Sequence, residues 1–325
     1  MILRVCLSFC FFLLHTSLAS VACADEFDAL RDALKRAWEP FTHYSAEVRV
    51  TTYQSNKDDP ALRLISEATR VIEIQQVKDP KGHKRWHQER NEEWRVMDQQ
   101  SQAREYRREE LAIRPVAYGI ALLVEVRKPD GEVTSTGYLG DYNDVSLYYP
   151  HAIMNLTFVS LWTPPDLSYS FSQPAEDYQG LPGMRMTLRA IDVTLWFSPE
   201  HDLFPIRSLK ISKTPDRGTY RFIHTVQEFG TAEYKGRSVY YPKKYTHENF
   251  GPDTGRCYLR YVMDVRSFQF HEFDPDFHPT VTFPRGLHVV KREGQESRIE
   301  YRTFVRETHP GGYWNSYTIA KVGAY

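Results

Sequence analysis

The stretch from Leu181 to Ser212 constrains this chain most, because it reads as two strands joined by a tight turn and has the look of the middle of a large sheet. Trp196 and Phe197 end the first strand. Ser198-Pro199-Glu200-His201-Asp202 supplies turn chemistry with a proline that presets φ, and Phe204-Pro205-Ile206 opens the return strand. Within the stretch the apolar parity changes: Met184, Met186 and Leu188 hold even positions, Ile191, Val193 and Leu195 odd ones. A one-residue slip turns a whole strand over, so a bulge or tight turn is predicted near Ala190.

The same period recurs on both sides. Ala46, Val48 and Val50 alternate with Glu47, Arg49 and Thr51 between Ser45 and Tyr53, and Ala68–Val77 reads as the next strand. Thr219–Phe229, Arg237–His247 and Tyr258–Phe270 follow later as three more. Val116–Arg127, the turn Lys128-Pro129-Asp130-Gly131 and Glu132–Leu139 form a hairpin, with a helix over 119–126 as the alternative. Lys84–Gln88 and Trp94–Asp98 are read as strands with Asn91-Glu92-Glu93 as the loop between them, and the polar run Gln99–Glu110 as an exposed helix or loop. From Gly140 to Pro182 the pattern is lost, which predicts a long connection with a short helix near His151–Leu161. Phe27, Leu30, Ala33, Leu34, Ala37 and Trp38 recur at helical spacing over Asp25–Trp38, with Pro40 beyond. The sum is a mainly β chain with some α (α+β), an antiparallel meander in one domain, one face buried and the other wet.

Arg4, the apolar run Val5–Leu14 and Ala22-Cys23-Ala24 have the pattern of a secretory signal peptide, residues 1–24, cleaved after Ala24. Lipidation of Cys23 is the rival reading, with Ser20 standing where a bacterial lipoprotein signal carries a larger aliphatic residue. Three of the four cysteines fall in that leader, so the mature chain keeps Cys257 alone and relies on its core instead of disulfides. After Trp162 no apolar run reaches the roughly 18 residues a membrane span needs, so a periplasmic or secreted, soluble protein, peripheral to a membrane at most, is expected. The 41 basic and 42 acidic residues nearly cancel, which gives no reason to expect nucleic acid as a partner.

Catalytic signatures are missing. No serine stands in a nucleophile elbow, no glycine pattern resembles a phosphate loop, and Cys257 beside Tyr258 reads as a buried thiol. Between His271 and His278 two histidines and three carboxylates crowd eight residues, yet period two sets the histidines on opposite faces and Pro275 makes the acids an exposed turn. The reading is therefore no metal, no cofactor and no enzyme, with a glycosidase-type hydrolase left open because one sequence does not identify paired carboxylates. The 14 % aromatic content carries the sharper expectation: Trp86, Trp94, Trp196, Phe222, Tyr261, Phe268 and Phe270 sit on predicted strands, where a curved sheet could turn them toward a concavity for acyl chains. Core packing explains any one of them equally well.

The order of elements, signal peptide, amphipathic helix, then antiparallel strands containing Leu195-Trp196-Phe197-Ser198-Pro199 and Leu203-Phe204-Pro205-Ile206-Arg207, resembles the LolA/LolB-like lipoprotein-carrier superfamily, which includes the RseB type of envelope sensor. Val226-Gln227-Glu228-Phe229, Tyr241-Pro242 and Thr282-Phe283-Pro284-Arg285-Gly286 are similar to longer exported bacterial versions. Phe204 departs from that pattern, which usually runs leucine then proline. The resemblance implies an antiparallel sheet curled into an incomplete barrel around one or more helices over residues 25–293, with a C-terminal extension over 294–325. It implies a non-enzymatic cell-envelope protein that binds a lipid, a lipoprotein acyl chain or a similar amphiphile, with outer-membrane lipoprotein sorting as one use. An RseB-like sensor or protein-interaction module is the alternative.

Overall fold

Alternation governs the fold. In β1 (His43–Gln54) Tyr44, Ala46, Val48 and Val50 are buried on one face, and each lies opposite an apolar residue of β13 (Cys257–Phe270): Phe270, Phe268, Val265 and Met263. A bulge at Glu47/Val48 keeps these side chains on one face where the register shifts. The computed structural model describes residues 27–321 apart from 38, 56–60, 80–81, 99, 101, 114–119, 141–172, 189–190, 215–217, 253–254, 285–286, 288, 294–295 and 308–315. The predicted leader with Cys23, the turn at Ala190 and residues 141–172 of the expected 140–182 connection, with the short helix near His151–Leu161, lie outside the described residues, whereas the end of that connection is no loop but the strand Gln173–Tyr178 paired with Leu181–Leu188.

One sheet holds every described strand. Beside β1 stand β2 (Arg63–Asp79), β3 (Gly82–Met97), β4 (Ala103–Ile113), β5 (Ile120–Arg127) and β6 (Val133–Gly140), each paired with its predecessor. On the other side of β13 a second meander runs through β12 (Arg237–Phe250), β11 (Gly218–Tyr234), β10 (Phe204–Thr214), β9 (Ile191–Ser198) and β8 (Leu181–Leu188) to β7 (Gln173–Tyr178) at the edge. Beyond β6 lie β14 (Val289–Glu293), β15 (Glu296–Glu307) and β16 (Ser316–Lys321), so the segment expected to be an extension continues the sheet. The β14–β6 pairing is parallel and all others are antiparallel.

Sequence expectation and structure part in the first half. The predicted loop Asn91-Glu92-Glu93 is the middle of β3, where the ladder bulges, and buried Asn91 donates to Glu109 Oε2 at 3.0 Å. The run read as an exposed helix or loop is largely β4. Its charges are matched within the sheet, Arg108 with Glu110 at 3.0 Å and Arg107 with Glu105, so polarity did not exclude a strand. From Ile120 onward the predicted hairpin is β5 and β6, and no helix forms there, residues 116–119 lying outside the described ones.

The helix α1 (residues 27–37) buries Leu30, Ala33, Leu34 and Ala37, the stripe its spacing predicts. Pro40 ends it in a 3-10 turn, Glu39–Thr42, which delivers Phe41 into the core with no exposure at all. Phe41 stands edge-on to Phe270 at 5.1 Å and to Tyr44 at 5.7 Å. Beside it Tyr241 stacks on Phe268 at 4.3 Å, and Phe268 faces Tyr44 at 5.5 Å. Gly230 opposite Tyr241 makes that stack feasible, since a Cβ there would overlap the tyrosine ring. This core gathers side chains from eight adjacent strands, β2 through β1 and β13 to β8, together with α1.

The reverse face is used differently. The chain leaving β13 is latched by His271 Nε2, 2.7 Å from the Ser45 hydroxyl, and by Gln75, which donates to the Asp274 carbonyl at 2.7 Å. It then crosses behind the sheet, where Val281, Phe283 and Leu287 pack on Ala112, Ala121 and Leu123. By register Ile72 of the main core lies opposite Glu89, then Leu111, then Leu122, so Ala112, Ala121 and Leu123 point to the side away from α1. Gly137 allows the close approach, because a Cβ there would come within 2.6 Å of Val289 and 2.9 Å of Phe283. Since Phe41 joins the helix to four aromatic rings, Phe41→Ala is expected to cost about 3–5 kcal/mol, read as a lowered urea midpoint at unchanged slope.

Candidate ligand-binding site

The core face is apolar where α1 lies and becomes polar farther along the same strands. On β10, β11 and β12 the residues Ser208, His224 and His247 stand directly opposite one another, all at least nine-tenths buried. The Ser208 hydroxyl is 2.9 Å from His224 Nδ1, and His224 Nε2 is 2.5 Å from His247 Nδ1. Such a contact needs one proton between two ring nitrogens, so one imidazole donates and the other accepts. The next row holds Lys210, Phe222 and Asn249, with the Lys210 ammonium 5.7 Å from the centre of the Phe222 ring. Tyr261 of β13 closes the side, 5.7 Å from His247. One row toward the helix, Tyr245 lies opposite Val226 and Met263; it is fully buried, and its hydroxyl has no hydrogen-bond partner among the described residues.

Burial sets the electrostatics. It pushes His224 well below the ordinary histidine value, with the neighbouring His247 and Lys210 adding to the effect. His247 is held at about 4, first by burial, with the Asn249 side chain working against it and Lys210 adding to it. Lys210 is itself lowered by burial, and Tyr245 is raised well above its usual value by burial, then by Tyr44, against Arg70. Neutral imidazoles beside a desolvated ammonium make a proton-poor, cation-bearing patch.

Hollows open elsewhere on the fold, two of them beside elements already described. One, of about 410 Å³, lies at the seam between α1 and the sheet and is lined by Ala33, Ala37, Leu203, Phe204, Val239 and Tyr240, with Arg36, His201, Asp202, Arg237 and Ser238 also on its wall. The turn beside it is shaped by Asp202 and Leu203, both left-handed at φ of 53° and 54°, and the Leu203 amide donates to the Ser198 carbonyl at 2.9 Å. The other, about 490 Å³, is bordered by Trp94, Tyr106, Arg95, Arg107, Arg108 and Arg127 with Glu125 and Val133. Trp94 is flanked there by the guanidinium groups of Arg70 and Arg107, 5.5 and 5.3 Å from its ring.

The seven aromatics singled out by sequence do not line one site. Phe268 and Phe270 touch each other at 4.8 Å inside the ring cluster under α1. Phe222 and Tyr261 flank His247, and Trp94 borders the arginine-rich hollow. Trp196 sits between Leu195 and Phe197 of the core and therefore points to the reverse face, where its indole donates to the Glu176 carbonyl at 3.1 Å and packs on Tyr178. Trp86 of β3 pairs in register with Gln75 of β2. Among the described residues no three histidine, cysteine or carboxylate side chains gather where a metal ion would sit.

Ser208, Lys210, His224 and His247 escaped the sequence reading. Their signal was the hairpin turn at Lys235-Gly236, both at positive φ (49° and 75°), the geometry of a two-residue hairpin. Ten residues back from Tyr234 is His224 and ten forward from Arg237 is His247, and the intervening bulges cancel.

No family model matches the chain, and a search of curated proteins by sequence finds no match either.

Because both imidazoles are depressed, the unfolded chain takes up their protons first as pH falls. Their contribution to stability is whole above the ordinary value of 6.5 and for His247 is lost on the way down to about 4. That loss is on the order of 3 kcal/mol for His247. Urea unfolding at about pH 7.5 and about pH 4.5 is expected to register it, and His247→Gln to shrink the difference between the two.

Proposed function

We propose that this chain is a non-enzymatic cell-envelope protein, exported to the periplasm or secreted, that shelters a lipid, a lipoprotein acyl chain or a similar amphiphile on the inner side of a sheet curled into a LolA/LolB-like incomplete barrel. The observation that carries this reading is a mismatch of sizes. The eight strands that share the main core span roughly 34 Å at about 4.8 Å per strand, whereas the eleven residues of α1 make a rod roughly 16 Å long and about 10 Å across. One rod of that size covers such a face only if the sheet bends around it, and a bent sheet leaves concave apolar surface beside the rod. The seam hollow fits this, being within the range of small-molecule sites and lined by α1 and β12. Apolar surface removed from water yields about 25 cal/mol per Å², enough to hold an acyl chain with few polar contacts.

Outer-membrane lipoprotein sorting is the use that such a fold suggests. An RseB-like sensor or protein-interaction module is the second reading, supported by the arginine-rich hollow at Trp94 and Tyr106, whose charges suit an acidic partner surface.

Native mass spectrometry of the protein purified from an envelope fraction is expected to find it beginning at Asp25 and carrying an amphiphile that delipidation removes and fatty-acyl probes replace. A protein with no bound amphiphile and no uptake of probe would overturn the proposal. Capture of a membrane protein by that empty form would favour the sensor reading.

A further inference from the structure

We propose that Lys210 and the His224–His247 pair form a headgroup site for an anionic oxygen group, a carboxylate or a phosphate, carried on an acyl chain. This rests on the amphiphile-binding reading and gives that ligand a charge and an orientation.

A half-buried ammonium is normally matched by a carboxylate, because desolvating it alone costs free energy. Among the described residues no carboxylate pairs with Lys210. Among the described residues its partner is the Phe222 ring, and burial is what lowers its pKa. The groups facing it are equally free of negative charge: Ser208 on its own strand, His224 on β11, His247 on β12 and Tyr261 on β13, with apolar Val193 opposite on β9. The nearby acids are engaged on the other parity, Glu248 with Arg260 at 2.7 Å and Asp192 with Arg185 at 3.4 Å.

A cation left unmatched in a greasy setting is a standing cost that an incoming anion removes. The same patch offers other groups for its oxygens. The His224–His247 pair can turn an N–H toward an acceptor or take up a proton once a negative charge arrives, and the Tyr245 hydroxyl, one row away, is buried without a hydrogen-bond partner among the described residues. Phe222, Tyr261 and Val193 supply apolar surface for the first methylenes. Along β12 the seam hollow at Tyr240 and His247 are seven residues apart, roughly 20 Å of strand, so head and tail ends of one face are distinct.

Calorimetric titration of the delipidated full chain with four probes tests this: dodecanoate, dodecyl phosphate, neutral dodecyl maltoside and inorganic phosphate. The anionic amphiphiles are expected to bind about tenfold or more tightly than the maltoside, the scale of a hydrogen bond to a charged group. Lys210→Met should abolish that preference, whereas Lys210→Arg should retain it. The methionine variant is also expected to melt higher, since it loses an unmatched charge, which separates loss of binding from loss of fold. NMR titration of the imidazoles should find both pKa values raised when dodecanoate is bound. Equal affinity for anionic and neutral amphiphiles, or an anionic preference that survives Lys210→Met, overturns the headgroup site and leaves the proposed function standing. Inorganic phosphate binding as tightly as dodecyl phosphate overturns the acyl-linked ligand. Binding of none of the probes removes both the site and the function.

Discussion

The pairing of β1 with β13 is the constraint on which the rest of this structure depends. Among the described strands every other antiparallel contact joins neighbours in the chain, whereas β1–β13 brings residues 44–54 against 259–270 and joins two meanders into one sheet. It also creates the core, because the aromatic cluster draws Tyr44 from one partner and Phe268 and Phe270 from the other, with Phe41 seated between them. Without that ladder α1 would have half a surface on each side and a complete one on neither.

How much of this could be read from the sequence depended on whether polarity followed the pleat. β1 and β13 were legible because one parity is largely apolar and the other carries most of the charge, and the Leu181–Ser212 stretch was legible by its turn, although it contains three strands, not two. β3 and β4 were misread because both their faces carry charge, matched by neighbours that only register can reveal, such as Asn91 with Glu109. The candidate site failed for a related reason. Lys210 lies between Leu209 and Ile211, so its strand offers no parity to say which side is inward, and the histidines are twenty-three residues apart in the chain and adjacent only across the hairpin.

The aromatics illustrate the limit of composition as a guide. Trp196, the most conspicuous residue of the central stretch, serves the reverse face, and Phe268 and Phe270 serve the packing under α1. What sets one end of the core face apart is a handful of polar groups, two imidazoles, an ammonium, a serine and a phenol, which a close-packed apolar core has no use for. An apolar wall with one such corner differs from a plain core in that it has a direction.

The long-range closure has a consequence for how the chain comes into being. β1 emerges early and β2 soon follows on one side, but its other neighbour is β13, more than two hundred residues later. At about 5–20 residues per second that interval is roughly ten to forty seconds, during which an unpaired backbone edge flanked by Val48 and Val50 faces whatever is nearby. The newborn protein is thus longest exposed along the very seam that later holds it together, and a holding factor that masks this edge would guard it better than one that waits for the finished sheet.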